Sequence, residues 1–192
     1  MARLSVGLDS LAQRYRRFGT TSHEMQYITA TAEYLPIANE SFDVASSIMS
    51  LKHVIGIHLA IDEIIRVMAP GGSLLIGTRV NNRPNRREPI RITRETFNKL
   101  LAQLKPLGGH YTDLDTETTI PLEQWISPDR PADTLHRGAL LAHFNKGITN
   151  RYRVPQETHQ ANELATGSQR DGGTCPAAVT QWRWYPGQCC PR

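Results

Sequence analysis

Few side chains in this sequence are placed to do chemistry: one acid, one histidine and a run of arginines. The acid is Asp9, which ends the short run Leu4-Ser5-Val6-Gly7-Leu8 and stands directly before Ser10 and a helical pattern. A carboxylate offers two acceptor oxygens, and at a helix start it is also favoured by the dipole. The histidine is His53, in Leu51-Lys52-His53-Val54. An ordinary imidazole titrates near neutral pH, so His53 suits a general base or a group that orients a substrate. A structural histidine bonded at a helix start is an equal reading. His58 lies five residues on and does not share a helical face with it. The arginines are Arg79, Arg83, Arg86, Arg87, Arg91 and Arg94, set against the single acid Glu88. Such a loop suits phosphate, an acidic substrate or nucleic acid. No aromatic residues are interleaved for base stacking, which favours a solvated loop over a nucleic-acid surface.

Other chemistries find no support. There is no His-Glu-x-x-His and no Gly-x-Ser-x-Gly, so metalloprotease and serine-hydrolase readings fall away. Cys175, Cys189 and Cys190 are odd in number, two are adjacent, and none forms a Cys-x-x-Cys pair. Neither a metal site nor a disulfide framework is indicated.

The elements that must position these groups centre on Ala32–Thr78. Ser41–Met49 mixes apolar and small residues and suits a strand buried on both faces. From Ile57 to Met68, Ile61, Ile64, Ile65 and Met68 recur at i, i+3, i+4 and i+7, which predicts an amphipathic helix with Asp62, Glu63 and Arg66 on the other side. Pro70 ends it, Gly71-Gly72 reverse the chain, and Ser73–Thr78 is a short apolar strand. This is a strand–helix–strand crossover of a parallel sheet. Upstream, Leu4–Asp9 and Gln26–Ala30 read as strands. Between them Ser10 caps a helix with Leu11, Tyr15 and Phe18 as its inward stripe, and Gly19 ends it. Downstream, Phe97, Leu100, Leu101 and Leu104 predict a helix capped by Thr93 and ended by Pro106 and Gly108-Gly109. His110–Thr119 supplies one or two weak strands.

Ala32-Glu33-Tyr34-Leu35-Pro36, Ser41–Val54 and Glu63–Thr78 together resemble the middle of a class I S-adenosylmethionine-dependent methyltransferase: the loop after the third strand, the fourth strand, the fourth helix and the fifth strand. The resemblance runs from about Leu4 to Thr78 and more loosely to Trp125. It implies an α/β fold, a partial Rossmann-like sheet of mostly parallel strands with flanking helices, and S-adenosyl-L-methionine as cofactor. By position, Asp9 would accept from the ribose hydroxyls. Thr31 stands where many relatives place an adenine-binding Asp, and the main-chain N–H of Ala32 would meet the adenine ring. Met49 and Ser50 would pass under the methionine part, with His53 the candidate catalytic residue. The resemblance further implies a small-molecule methyl acceptor.

The family binds its cofactor chiefly at a first strand and the glycine-rich turn after it, and this sequence opens at what resembles the second strand. The expectation is an N-terminally truncated domain with impaired activity. The family's first strand lies between the second and fourth. Here, therefore, those two strands would pair directly or leave a gap whose edges invite a partner strand or a homo-oligomer. A non-catalytic fragment or interaction module is the alternative, and an RNA-binding methyltransferase remnant a third.

The chain has 192 residues, a net charge of +4 and 39% hydrophobic content, against ~45–50% apolar residues in typical domains. From Ser127 to Arg192 only eight of 66 residues are Leu, Ile, Val or Phe, with six Pro and six Gly. The sequence thus predicts a folded part over 1–126 and a low-order, disordered tail over 127–192. No signal-peptide pattern and no apolar run near the ~20 residues of a membrane span occurs, so the expectation is a soluble, cytoplasmic protein.

Overall fold

The computed structural model describes residues 4–130 and 136–147, and the backbone of 179–183. The predicted crossover is its centre. β3 (Phe42–Ile48) pairs in parallel with β4 (Met68–Val80) through α2 (Ile57–Val67). Ile61, Ile64 and Ile65 on α2 are buried, as their spacing requires. The helix gives way to β4 without an intervening loop, because Pro70 and two glycines lie at the junction. Gly71 adopts φ 79°. A β-carbon at Gly72 would stand 2.8 Å from the Ala69 carbonyl and 3.0 Å from that of Asp43 on β3, closer than any side chain tolerates. The ladder shifts register between Phe42 and Val44, beside this point.

Further out, β1 (Val6–Leu8) pairs in parallel with β2 (Gln26–Ile28). Between them α1 is a single turn, Ala12–Tyr15, followed by 3-10 turns. The predicted inward stripe is not realised: Ala12 is the buried residue, Leu11 lies at the surface, and Phe18 is 69% exposed beneath the Arg17 guanidinium. Four residues are too few for a stripe. Gly19 does close this segment, with φ 84°.

Beyond β4 the sheet continues with β7 (Gly138–Lys146), antiparallel to both β4 and β5 (Leu104–Asp113), and ends at β6 (Thr119–Pro121). Two expectations are corrected here. Pro106–Gly109 does not end a helix; α3 (Arg94–Leu101) stops earlier, and Leu104 already belongs to β5. A β-carbon at Gly109, whose φ is 142°, would overlap the Leu141 carbonyl oxygen, so its glycine serves the close approach of β5 to β7. Nor does the ordered chain end at 126. β7 buries Leu140, Ala142 and Phe144 on alternate positions, the period of a half-buried strand. Its end also clamps the crossover. The Asn145 amide donates to the Gly71 and Gly72 carbonyls, and Lys146 Nζ donates to those of Ile65 and Met68, at the C-terminal end of α2. Beyond residue 147 the tail lies outside the described residues apart from the backbone of 179–183, and all three cysteines fall in the undescribed part.

The main core packs α2, α3 and α4 (Leu122–Ile126) on this sheet. Phe97 meets Trp125 edge-on at 5.4 Å and stacks on Phe144 at 6.4 Å, while Trp125 stacks on Tyr111 at 5.7 Å. Burial pushes the Tyr111 hydroxyl up to about 12, and it donates to the His136 carbonyl. A smaller cluster joins Val6 and Leu8 to Leu35, Phe42 and Val67.

The position between β1 and β3 was expected to be a gap or a direct pairing. It is neither. β8 (Val179–Arg183) pairs in parallel with β3 over Val44–Ile48, and its other edge lies alongside β1. Among the described residues the strand edge of β3 is therefore covered by the chain itself. Because Phe144 sits between Phe97 and the sheet, Phe144→Ala should lower unfolding stability by about 3–5 kcal/mol, measured by urea denaturation. A loss under 1 kcal/mol would show that β7 is peripheral.

Candidate functional site

A cleft of about 230 Å³ opens where β1, the loop after β2 and the end of β3 converge. Asp9, Thr31, Ala32, Ser50 and His53 all line it. Met49 does not. It takes a left-handed conformation, φ 57°, and its N–H donates to the Gly77 carbonyl at 2.6 Å. In that conformation it turns the chain from β3 toward Ser50. Ser47, Glu33 and Ile55 complete the walls; the sequence reading passed over these three.

Asp9 is buried at the end of β1. Its Oδ1 accepts the Leu11 N–H at 2.7 Å, so Asp9, not Ser10, satisfies the first turn. No described residue donates to Oδ2. Burial pushes the carboxyl above its ordinary value, and the Leu11 N–H pulls the other way. Asp9 lines the cleft, so an acceptor oxygen is available there to a ligand hydroxyl.

The opposite wall is the Thr31–Pro36 loop, and α2 holds it. Glu33 Oε1 accepts the Gly56 N–H at 3.1 Å. Glu63 Oε2 accepts the Leu35 N–H at 2.7 Å and, with Oε1, receives a two-pronged bond from Arg66 at 2.6 and 2.8 Å. Arg66 also donates to the Leu35 and Ile37 carbonyls and to Asn39 Oδ1. The pair predicted opposite the apolar stripe of α2 is thus a clamp on the loop. Arg66 holds the Glu63 carboxyl below its ordinary range, and Glu63 raises the guanidinium in turn.

Next to the cleft, a 3-10 turn at Leu51–His53 meets the arginine loop. His53 Nδ1 lies 2.6 Å from the Arg87 carbonyl, which can only accept, so Nδ1 carries the proton. In the neutral ring Nε2 is then the basic nitrogen. Lys52, 7% exposed, pairs with Glu88, 22% exposed, at 2.5 Å. Lys52 is the main reason the Glu88 carboxyl titrates below its ordinary value.

Residues 5–76 match the family model of the methyltransferase domain. That match takes in β1 through most of β4, less than half of the chain. The chain is also 31% identical, over 62 residues, to a demethylmenaquinone methyltransferase of Protochlamydia amoebophila (strain UWE25). That match covers 32% of this chain and 26% of the relative, so the chain spans about a quarter of that protein's length. Solved structures extend the likeness across the described fold. The methyltransferase from Methanosarcina mazei shares 14% identity with a TM-score of 0.53, over 75% of this chain and 82% of that one. The YcgJ protein from Bacillus subtilis shares 16% with 0.52, over 76% and 83%. The cyclase SpnF shares 19% with 0.51, over 74% and 66%. These likenesses establish a Rossmann-like methyltransferase fold, a fold that also carries a cyclase.

Among the described residues, no helix of the methyltransferase fold is long and apolar enough to cross a membrane. One triad, Asp113, Asp115 and His136, brings possible ligand atoms within 4.8 Å. Its atoms are already used: Asp113 Oδ1 caps two backbone N–H groups, and Asp115 pairs with Arg137.

The Lys52–Glu88 pair yields a pH prediction. Glu88's folded value is depressed, so its stabilisation is present above the ordinary carboxylate range and lost as pH falls through the folded value. Wild type should lose stability on acidification more steeply than Glu88→Gln. At neutral pH the variant should be weaker by about 1–3 kcal/mol, since Lys52 is left buried without its acid. Chemical denaturation at several pH values would check this.

Proposed function

We propose that this chain binds S-adenosylmethionine in the cleft and transfers its methyl group to a small organic acceptor. The observation that carries the reading is Asp9: a buried carboxylate with one oxygen held by Leu11 and the other lacking a donor, facing the loop that Glu63 and Arg66 clamp. This donor and acceptor set fits the ribose and adenine half of the cofactor. Asp9 would hold the ribose hydroxyls, Ala32 would offer its main-chain N–H, and Thr31 would border the adenine edge. Ser50 would border the methionine end, with Met49 shaping the backbone there. The cofactor supplies a methyl group on an already activated sulfonium, so the protein's share is mostly positioning. His53, with Nδ1 held as a donor, leaves Nε2 as the nitrogen that takes the acceptor's proton.

A small acceptor agrees with the cleft's rim. Ile55, which lines the cleft, is 78% exposed, which suits an apolar acceptor body. None of the lining residues is glycine, so the backbone does not approach a ligand as closely as a glycine-rich turn would. The reading therefore includes modest affinity and slow turnover. Since β8 covers the edge of β3, an interaction module recruited by an open strand has less support than the enzyme.

Isothermal titration with S-adenosylmethionine tests this. Asp9→Asn keeps an acceptor for the Leu11 N–H but replaces the other oxygen by a donor, and should weaken binding about tenfold or more. The ribose hydroxyls favour the ionised carboxylate. Wild-type affinity should therefore be full above Asp9's raised folded value and fall as pH drops through it, a slope absent in Asp9→Asn. No heat at millimolar cofactor, or equal affinities for the two proteins, would refute the reading.

A further inference from the structure

The arginine loop is bonded to a wall residue of the cleft, and three of its arginines, Arg83, Arg86 and Arg91, are exposed. Its base is closed by the Asn81 N–H donating to the Ile92 carbonyl. At its tip the Asn85 side chain accepts the Arg87 and Glu88 N–H groups, and the Asn85 N–H donates to the Glu88 carbonyl. From this tight turn Arg87 gives its carbonyl to His53, and Glu88 gives its carboxylate to Lys52. His53 lines the cleft, so the loop is bonded directly to one of the cleft's wall residues. Elsewhere basic side chains find acids: Arg66 with Glu63, Lys99 with Asp62, Arg137 with Asp115. Arg83, Arg86 and Arg91 are exposed, and no ion pair engages them among the described residues. Glu88, the loop's one acid, is consumed by Lys52. What remains is a preordered cationic rim beside the proton-accepting histidine.

We infer that the 82–91 loop is the subsite for an anionic group on the methyl acceptor, a carboxylate or a phosphate ester on an otherwise small organic molecule. This rests on the methyl-transfer reading above and names the substrate class for the same cleft. Guanidinium groups bind such oxyanions through paired N–H donors, and the bonds are stronger for being charged on both sides. A loop pinned at two neighbouring residues loses little freedom on binding, which favours a small ligand. A nucleic-acid surface would want stacking partners between its cations, and residues 79–94 contain no Phe, Tyr or Trp.

The test is an amide-resolved NMR titration of the full chain, saturated with S-adenosylhomocysteine, using phenyl phosphate, benzoate and phenol. Phenyl phosphate and benzoate should shift the signals of Arg83–Arg91 and His53–Ile55, and at least one should bind about tenfold tighter than phenol. Their order distinguishes a phosphate from a carboxylate. The triple variant Arg83→Gln, Arg86→Gln, Arg91→Gln should remove that preference while leaving S-adenosylmethionine affinity within twofold. Equal binding of phenol, or an unchanged preference in the variant, overturns the inference. So does a short single-stranded RNA that binds tighter than either anion and is lost in the variant. If the anions bind but S-adenosylmethionine does not, the methyl-transfer reading fails, and with it the loop's role as an acceptor subsite. Should the triple variant not fold, the same anion preference must vanish from wild type at high salt, or the inference falls.

Discussion

The structure hinges on a close backbone contact: Gly72 lying against the carbonyls of β3. Because residue 72 has no β-carbon, the chain leaving α2 drops directly into the ladder of the central parallel pair. Everything that touches the cleft is fixed relative to that pair. β3 ends in the left-handed Met49 and delivers Ser50 and the 51–53 turn. α2, whose angle the junction sets, carries Glu63 and Arg66 to the loop that forms the opposite wall. The junction is held from below by Asn145 and Lys146, which bond the carbonyls that a helix end and a glycine turn leave open.

Two charge pairs transmit this scaffold to the surface loops. Glu63–Arg66 organises residues 35–39, and Lys52–Glu88 organises the arginine loop. Exposed ion pairs contribute little to stability. These two matter because each also engages backbone groups or a nearly buried partner, converting charge into loop geometry. The cleft is thus framed by two loops that would otherwise wander.

Much of the fold could be read in advance because its signals were local. The 3.6-residue recurrence of Ile61, Ile64, Ile65 and Met68, and the Pro-Gly-Gly break, announced the crossover. Asp9, Thr31, Ala32, Ser50 and His53 were named through the family resemblance, and they meet in one cleft because strand ends on such sheets converge at one edge. The misreadings came from averaging and from context. Counting apolar residues over Ser127–Arg192 hid the alternation Leu140, Ala142, Phe144, which is as clear a strand pattern as any upstream. Pro106-Leu107-Gly108-Gly109 looks like punctuation, yet the glycines there admit a neighbouring strand. Glu63 and Arg66 were placed opposite the apolar stripe and given no further role, because nothing local tells that the loop at Leu35 returns to them. Phe18 was assigned to a core that a four-residue helix does not reach.

β8 carries a consequence for the order of events during biosynthesis. The ladder that joins residue 44 to residue 179 closes one end of the six-stranded sheet, yet its second member is translated long after its first. A nascent chain emerging from the ribosome can assemble the crossover early, but β3 must wait with one side unprotected until the distal segment arrives. Pairings between such distant positions slow acquisition of the native state. During that delay the bare ladder is the place where a chaperone, or a neighbouring nascent copy, would engage first.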